Sequence, residues 1–174
     1  MDIVAFFQQS AGRWSSIKSN HHVDTTQQQS GRSAIEMDLL DVNDPAVLEL
    51  CSKQGEDPQS VTVAAKVKWE GTLEGSTKTD TNQSLLVAIG DPTQGQLLRT
   101  IGKFGTPSAT GRYHFGEGGE FILTVEDQNW VTTERVWFES ENVRMRHTKI
   151  QHTDNRQVVS FCSEVRLVTA PPKA

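Results

Sequence analysis

Apolar and polar residues alternate along most of the chain from residue 61 onward, which is the period of a β-strand. The clearest example is VTVAAKVKWEG, residues 61–71. Its apolar face carries Val61, Val63, Ala65, Val67 and Trp69. Because Lys66 and Lys68 occupy the other face, the pattern predicts a half-buried strand with Trp69 pointing inward.

Nine further short runs have strand character, and turn-forming residues separate them. They are HHVDTTQQ, GRSAIEMDLL, LLVAIG, GQLLRTIGKF, GRYHFG, GEFILTVED, TTERVWFES, NVRMRHTKI and FCSEVRLV. Strands at such regular spacing predict an antiparallel meander that closes as a barrel or packs as a sandwich. In a barrel, polar residues on inward faces line a possible ligand cavity.

The N-terminal segment has helical spacing instead. Within residues 2–14 the apolar stripe consists of Ile3, Phe6, Phe7, Ala11 and Trp14. This stripe predicts a short amphipathic helix that packs on a larger body.

A second helix is predicted within DPAVLELCSKQG, residues 44–55. Asp44 is a suitable N-cap, Pro45 suits the first helical turn, and Gly55 is a helix stop. Its place between two predicted strands makes it a lid or an insertion helix.

The length and composition indicate a single domain over residues 1–174. A net charge of -5 provides no overall basic field for nucleic acid. The longest apolar run, LLVAI at 85–89, is too short to span a membrane, and the N-terminus lacks the basic region of a signal peptide. We therefore expect a soluble intracellular protein without a nucleic-acid partner or a membrane span, and a frayed C-terminal TAPPKA.

The two cysteines, Cys51 and Cys162, stand far apart, and no repeated Cys/His spacing accompanies them. They are therefore expected to be reduced structural residues. His21 and His22 are adjacent, so in a strand they point to opposite faces and do not readily bind one ion. No metal site is predicted.

One short stretch, GRWSSIKSNHH at residues 12–22, concentrates a tryptophan, two basic residues and a histidine pair. Such a cluster suits a flat, anionic ligand. It fits equally well a helix end that is followed by a polar first strand.

The densest candidate site lies in TTERVWFESENVRMRHTKI, residues 132–150. Strand alternation places Arg144, Arg146 and Thr148 on one face of the second strand, and Glu134 shares a face with Val136 and Phe138 on the first. Two arginines at this spacing form a cationic surface suited to carboxylates. On the pattern alone, the commoner arrangement has both arginines on the solvated outer face, paired with nearby acids.

Four segments together resemble the S/U-type phycobiliprotein lyases, also called bilin lyases. The segments are FFQQSAGRWSSIKSNHH, VKWEG, ERVWFESENVRMRHTKI and FCSEVRL. They occur in the family's order and span nearly the whole chain. The resemblance implies an all-β fold with minor α content, an antiparallel up-and-down barrel like those of lipocalins and fatty-acid-binding proteins, with an N-terminal helix.

The resemblance also implies an activity. Family members attach an open-chain tetrapyrrole, such as phycocyanobilin or phycoerythrobilin, through a thioether to a cysteine of a phycobiliprotein α or β subunit. The bilin is then the substrate, and no further cofactor is implied. Because the family is not known to hold the bilin on a cysteine of its own, Cys162 remains a structural residue in this interpretation.

Carried over by position, the family's bilin-contact acid and arginine fall on Glu134 and Arg144, which the resemblance marks as catalytic. The further ligand-binding positions that it implies are Trp14, Lys18, His21, Trp69, Arg146 and Thr148. Lys18 stands where the family commonly has Arg, so it keeps the charge and loses the two-pronged geometry. The stretch GRWSSIKSNHH is then expected to join the helix to the first strand at the cavity mouth.

Two other functions remain open from the sequence. A carrier would bind the bilin without promoting its transfer, and a partner subunit would act in a heterodimer with a paralogue. A homodimer is a further possibility. The expected location is the cytoplasm of a cyanobacterium or a plastid stroma.

Overall fold

Ten strands and two α-helices make up the part of the chain that the computed structural model describes, residues 1–23, 25, 27–100 and 109–167. The helices are α1 (Ile3–Ser10) and α2 (Pro45–Gln54), and a single 3₁₀ turn, Pro58–Ser60, follows α2. The strands are β1 (Gly12–His22), β2 (Gln28–Leu40), β3 (Val61–Leu73), β4 (Thr79–Gly90), β5 (Gln94–Arg99), β6 (Ala109–Phe115), β7 (Phe121–Glu126), β8 (Trp130–Ser140), β9 (Val143–His152) and β10 (Gln157–Arg166).

The strands form one closed antiparallel barrel in which each strand pairs with the next along the chain. The barrel closes where β10 pairs with β1, with Arg166 opposite Trp14. This arrangement confirms the predicted up-and-down barrel with an N-terminal helix. Closure also satisfies the backbone groups that an open sheet would leave unpaired at its edges.

The first strand is GRWSSIKSNHH, whereas HHVDTTQQ was the predicted one. Of HHVDTTQQ, the two histidines end β1 and Gln28 begins β2, while residues 24 and 26 lie outside the described residues. Alternation did not reveal β1 because the stretch has few apolar residues, and Trp14 and Ser16 are its only buried side chains. Pairing with both β2 and β10 holds this polar stretch extended.

Helix α1 begins at the N-cap Asp2, whose side chain accepts a hydrogen bond from the backbone N–H of Ala5 at 2.9 Å. It ends at Ser10, so the predicted extension to Trp14 is wrong. The chain turns out of the helix at Gly12, whose φ of 105° is accessible to glycine and strained for other residues. Trp14 keeps its inward direction, but as a residue of β1.

The apolar side chains of α1 fill one end of the barrel. Phe6 stacks on Phe121 with ring centroids 4.7 Å apart. The core around α1 consists of Ile3, Phe6, Phe7, Met37, Val63, Ala65, Ala88, Leu97, Tyr113, Phe121, Leu123, Val125 and Val136. Each large apolar side chain buried there contributes about 1.5–3 kcal/mol to folding. Because these residues come from β2 through β8 as well as α1, the helix closes that end of the barrel.

Helix α2 lies on the outer surface over β3, β4 and β5. The second apolar cluster, on that surface, consists of Val47, Leu50, Cys51, Ala64, Val87, Ile89 and Leu98. The predicted ends of α2 are confirmed. The side chain of Asp44 accepts a hydrogen bond from the backbone N–H of Ala46 at 2.8 Å, and Gly55 adopts a left-handed φ of 72°. The helix is therefore an insertion helix and not a lid. Neither helix of the described chain is long and apolar enough to cross a membrane.

Candidate functional site

Strands β8, β9, β10 and β1 supply a polar inner wall next to the apolar core. Their inward face is identified by Val136, which belongs to the core around α1. The polar or sulfur-bearing residues at inward positions include Ser16, Lys18, Asn20, Thr132, Glu134, Arg144, Arg146, Thr148, Ser160, Cys162, Glu164 and Arg166. The alternative with both arginines on the outer face is therefore wrong, although the expected pairing with acids is present.

Two arginines and two glutamates of this wall form one continuous charge cluster, Glu134, Arg144, Arg146 and Glu164. Arg144 Nε donates to Glu164 Oε2 at 2.5 Å. Arg146 Nε donates to Glu164 Oε1 at 3.3 Å, and Arg146 Nη1 donates to Glu134 Oε1 at 3.0 Å. The cluster therefore balances two positive and two negative charges.

The charge cluster has a buried half and an accessible half. Arg144 and Glu164 are 3% and 1% exposed, whereas Arg146 and Glu134 are 26% and 22% exposed. Charged groups this deep are stable only when they are paired, which is what Glu164 and Arg144 provide for each other. Glu134 and Arg146 are thus the members of the charge cluster that a ligand inside the barrel can reach.

The pairing fixes the charge states of the buried half. Burial alone would raise the pKa of Glu164, but the guanidinium groups of Arg146 and Arg144 hold that pKa below its ordinary value. Burial lowers the pKa of Arg144, and Glu164 partly offsets this. Burial also acts to lower the pKa of Arg146, but Glu134 and Glu164 outweigh it and raise that pKa. With an ordinary pKa of about 12.5 or higher, both arginines stay protonated.

Trp14, which the resemblance marks as ligand-binding, is fully buried between two guanidinium groups. The Cζ atoms of Arg144 and Arg166 lie 4.6 and 4.3 Å from its ring centre. Its Nε1 donates to the backbone oxygen of Ser10 at 2.9 Å. Trp14 is thus 0% exposed, with two guanidinium groups over its ring and its polar edge hydrogen-bonded, so in this structure it packs against Arg144 and supports the charge cluster.

Arg166 connects the barrel to the end of α1. Its Nη1 and Nη2 each lie 2.6 Å from a backbone oxygen, of Ala11 and Gln9 respectively. A guanidinium at the C-terminal end of a helix satisfies the free carbonyls and interacts favourably with the helix dipole. This residue therefore holds α1 against the base of the polar wall.

Trp69 and Lys18 reach the interior from other parts of the barrel. Trp69 points inward from β3, as predicted, between Ile35 of β2 and Asn82 of β4, and its side chain is partly exposed. Lys18 lies on the inward face of β1 opposite Cys162 and keeps an exposed side chain. A flat ligand beside Glu134 can therefore meet an indole and an ammonium group.

Thr148 and His21 differ in their placement. Thr148 lies inward on β9 between its cross-strand neighbours Glu134 and Ser160, so its hydroxyl belongs to the polar wall. His21 stands on the face opposite to Lys18 and Asn20, and its Nε2 lies 3.0 Å from Ser19 Oγ. The structure therefore brings Thr148 to the charge cluster and leaves His21 on the outer surface.

Cys162 lies on the inward face of β10 but is poorly suited to nucleophilic chemistry. Its side chain is 5% exposed. Burial raises the pKa of its thiol, although Arg146 and Lys18 partly offset the effect. A raised pKa means little thiolate at neutral pH, which agrees with the structural role expected for this residue.

Glu164 is the main residue of the site that the sequence did not single out. It lies within FCSEVRL, a segment recognised only as a strand with family character. Strand alternation puts it on the same face as Cys162, two residues earlier. Glu164 could have been identified as an acid at an inward position opposite Arg144. That identification requires the register between β9 and β10, which the sequence alone does not give.

The family model for CpeS-like proteins matches residues 2–167. The chain belongs to the CpeS-like family. A protein of Thermosynechococcus vestitus named chromophore lyase CpcS/CpeS is 38% identical, and the match covers 99% of this chain and 96% of that protein. A protein of a Picosynechococcus species named phycocyanobilin lyase subunit CpcS is 31% identical over 99% of this chain and 90% of its own.

A solved structure has the same fold. The S-type phycobiliprotein lyase CPES from Guillardia theta superposes with a TM-score of 0.87 at 25% identity, over 98% of this chain and 95% of that one. The family resemblance given by the four motifs is confirmed, and so is the lipocalin-like barrel. The assignment to the chromophore lyases as an enzyme class is confirmed as well.

Proposed function

We propose that this protein binds an open-chain tetrapyrrole inside its barrel, phycocyanobilin or a related bilin, and promotes its thioether attachment to a cysteine of a phycobiliprotein subunit. The observation that carries the proposal is the accessible carboxylate of Glu134, which Arg146 holds inside the barrel at 3.0 Å. The names of the relatives, chromophore lyases and a phycocyanobilin lyase subunit, support the same substrate class.

Each chemical feature of a bilin has a counterpart in the interior. Pyrrole N–H groups are donors, and the partly exposed carboxylate of Glu134 is an acceptor beside the cavity. The long conjugated system can stack against Trp69, which points inward from the other side of the barrel. The ammonium group of Lys18 is available for a propionate.

Within this proposal the four members of the charge cluster have different roles. Glu134 contacts the pyrrole nitrogens and stabilises the protonated chromophore. Arg146 fixes the Glu134 carboxylate, while Glu164 fixes Arg146 from the buried side. Arg144 is enclosed by Glu164 and Trp14, so it is a positioning residue that reaches the ligand only through its neighbours. This changes the catalytic role that the resemblance implied for Arg144.

The reaction is an addition in which nothing is released. The acceptor's cysteine sulfur forms a bond to the ethylidene carbon of ring A, and the exocyclic carbon–carbon double bond opens. Its electron pair enters the conjugated system, which takes up one proton, so that S–H adds across the double bond without oxidation or reduction. The protein contributes mainly by holding the chromophore so that one ring is presented to the thiolate.

The decisive experiment mixes the purified chain with phycocyanobilin and an apo-phycobiliprotein β subunit, and follows absorbance and fluorescence. Survival of the colour in acid urea shows the covalent bond. We expect faster and more uniform product than in the absence of the protein. Bilin binding without any acceleration would make the protein a carrier and contradict the proposed function. Product from this chain alone would also show that it needs no second subunit.

Glu134→Gln tests the assigned role, with Glu126→Gln as the matched control. Glu126 is an exposed acid at the end of β7, away from the interior face. A lost hydrogen bond to a charged group corresponds to about a tenfold or larger loss in rate for Glu134→Gln. Attachment kinetics that stay unchanged in Glu134→Gln would remove this residue from the mechanism.

A further inference from the structure

Arg99 is a charged residue inside the barrel that takes no part in the charge cluster. It is the last residue of β5, and its inward direction follows from its neighbours: Leu97 belongs to the core around α1, whereas Leu98 packs under α2 on the outer surface. Its cross-strand partners are Leu86 and Ala109. Arg99 therefore stands at an inward position of the barrel wall.

The Nε atom of Arg99 is buried and has no hydrogen-bond partner among the described residues. The three other inward arginines that the structure describes are all engaged, since Arg144 and Arg146 donate to carboxylates and Arg166 to backbone oxygens. An unpaired buried donor is unfavourable, and more so when the group is charged. A buried donor without a partner in the protein is rare, and a functional role such as binding a ligand is one explanation for it.

Arg99 faces the charge cluster across the barrel. Following the strand order, β5 lies four strands from β9 and four strands from β1, the strands of Arg146 and Lys18. In a closed barrel of ten strands the strand directly opposite β5 is β10, the strand of Glu164, and β9 and β1 lie on either side of it. Arg99 can therefore meet the far side of a ligand whose near side contacts Glu134.

Arg99 also lies at the base of the polar part of the interior. On β5 it is the first inward residue after Leu97 of the core. On β8, Glu134 is likewise the next inward residue beyond Val136 of the core. On β3, Trp69 is the next inward residue beyond Val67, which packs against the core. The three side chains thus surround the space immediately beyond the core that α1 completes.

We infer that Arg99 binds a carboxylate of the tetrapyrrole, one of its propionates, from the wall opposite the charge cluster. The inference rests on the proposed function. The charge cluster is internally balanced, so its arginines are already satisfied, and Arg99 and Lys18 supply the cationic groups for the ligand's two carboxylates. The planar guanidinium of Arg99 suits a carboxylate better than a point charge does, because it can donate two parallel hydrogen bonds.

The test compares Arg99→Gln with the wild type in binding two probes, phycocyanobilin and its dimethyl ester. The ester keeps the conjugated system and the pyrrole nitrogens but has no carboxylates. We expect Arg99→Gln to weaken binding of the free acid about tenfold or more and to leave ester binding unchanged. Arg99→Lys keeps the charge and loses the two-pronged geometry. Its affinity for the free acid should lie between those of the wild type and Arg99→Gln.

Arg112→Gln is the matched control, since Arg112 is an exposed arginine that points outward from the neighbouring strand β6. It removes the same charge without touching the interior and should bind both probes like the wild type. Circular dichroism and thermal unfolding establish that each variant folds. If Arg99→Gln does not fold, the same comparison of the two probes on Arg99→Lys decides the question.

Equal loss of affinity for acid and ester would mean that Arg99 only maintains the structure, and it would overturn the inference. So would free-acid binding by Arg99→Gln that matches the wild type, while the proposed function would stand. Failure of the wild-type protein to bind phycocyanobilin at all would overturn the proposed function and the inference together.

Discussion

The carboxylate of Glu164 holds the guanidinium of Arg144 inside the barrel, with Oε2 and Nε 2.5 Å apart and both side chains at most 3% exposed. Neither partner is stable at this depth without the other, because an unpaired buried charge keeps its full desolvation cost. The accessible half of the charge cluster therefore depends on a pair that is almost completely buried.

Replacing Glu164 by Gln should destabilise the protein by about 3 kcal/mol, because it leaves Arg144 buried and unpaired. Chemical denaturation at neutral pH measures this free energy of unfolding. Glu70→Gln, at an exposed outward position of β3, is the control and should be close to neutral. Equal stability of the two variants would show that the buried pair contributes nothing net.

Lowering the pH should remove the contribution of the Glu164 carboxylate to the stability of the wild-type protein. Since the folded-state pKa of Glu164 is lowered, its contribution is complete above the unfolded-state pKa, about 4.3, and is lost as the pH falls through the lower folded-state value. The unfolding free energies of wild type and Glu164→Gln, measured from pH 7 to pH 3, should converge at the acidic end. Parallel curves over that range would contradict the lowered pKa.

The two inward tryptophans should respond differently to substitution by Phe. Trp14→Phe loses the hydrogen bond to Ser10 and part of the contact with two guanidinium groups, so it should lower the free energy of unfolding by roughly 2 kcal/mol. Trp69→Phe should mainly weaken phycocyanobilin binding. Denaturation and bilin titration of both variants separate the two effects, and a reversed pattern would exchange the roles given to these residues.

Cys162 should be dispensable for attachment and slow to react. Its thiol is buried and its pKa is raised, so a thiol reagent should label it in the native protein much more slowly than in urea. Cys162→Ala should transfer phycocyanobilin at the wild-type rate. A large loss of transfer in this variant, with normal folding, would mean that the protein's own thiol takes part.

The strands of the barrel were predictable where apolar residues alternate, as on β3 with Val63, Ala65 and Val67. The first strand, β1, was not predictable, because it is polar and Trp14 also fits the helical stripe that starts at Ile3. The extended backbone of Ala11 and the positive φ of Gly12 separate the two elements, and the sequence reveals neither conformation.

The site was predictable in its residue types and not in its connections. Spacing placed Arg144 and Arg146 on one face of a strand, but the direction of that face depends on the partner strands. Glu164 and Arg99 could not be assigned for the same reason, because an inward charge cannot be told from an outward one without the register of the closed barrel.

Helix α1 makes the barrel blind at one end, with Phe6 and Phe7 seated in its base. Under the proposed function, a chromophore would enter and leave by the end away from α1, and the half that enters first would be out of reach of a partner protein. The direction of loading therefore decides which end of the tetrapyrrole can react. In the proposed function, the choice among its reactive carbons would then be made before the acceptor subunit docks.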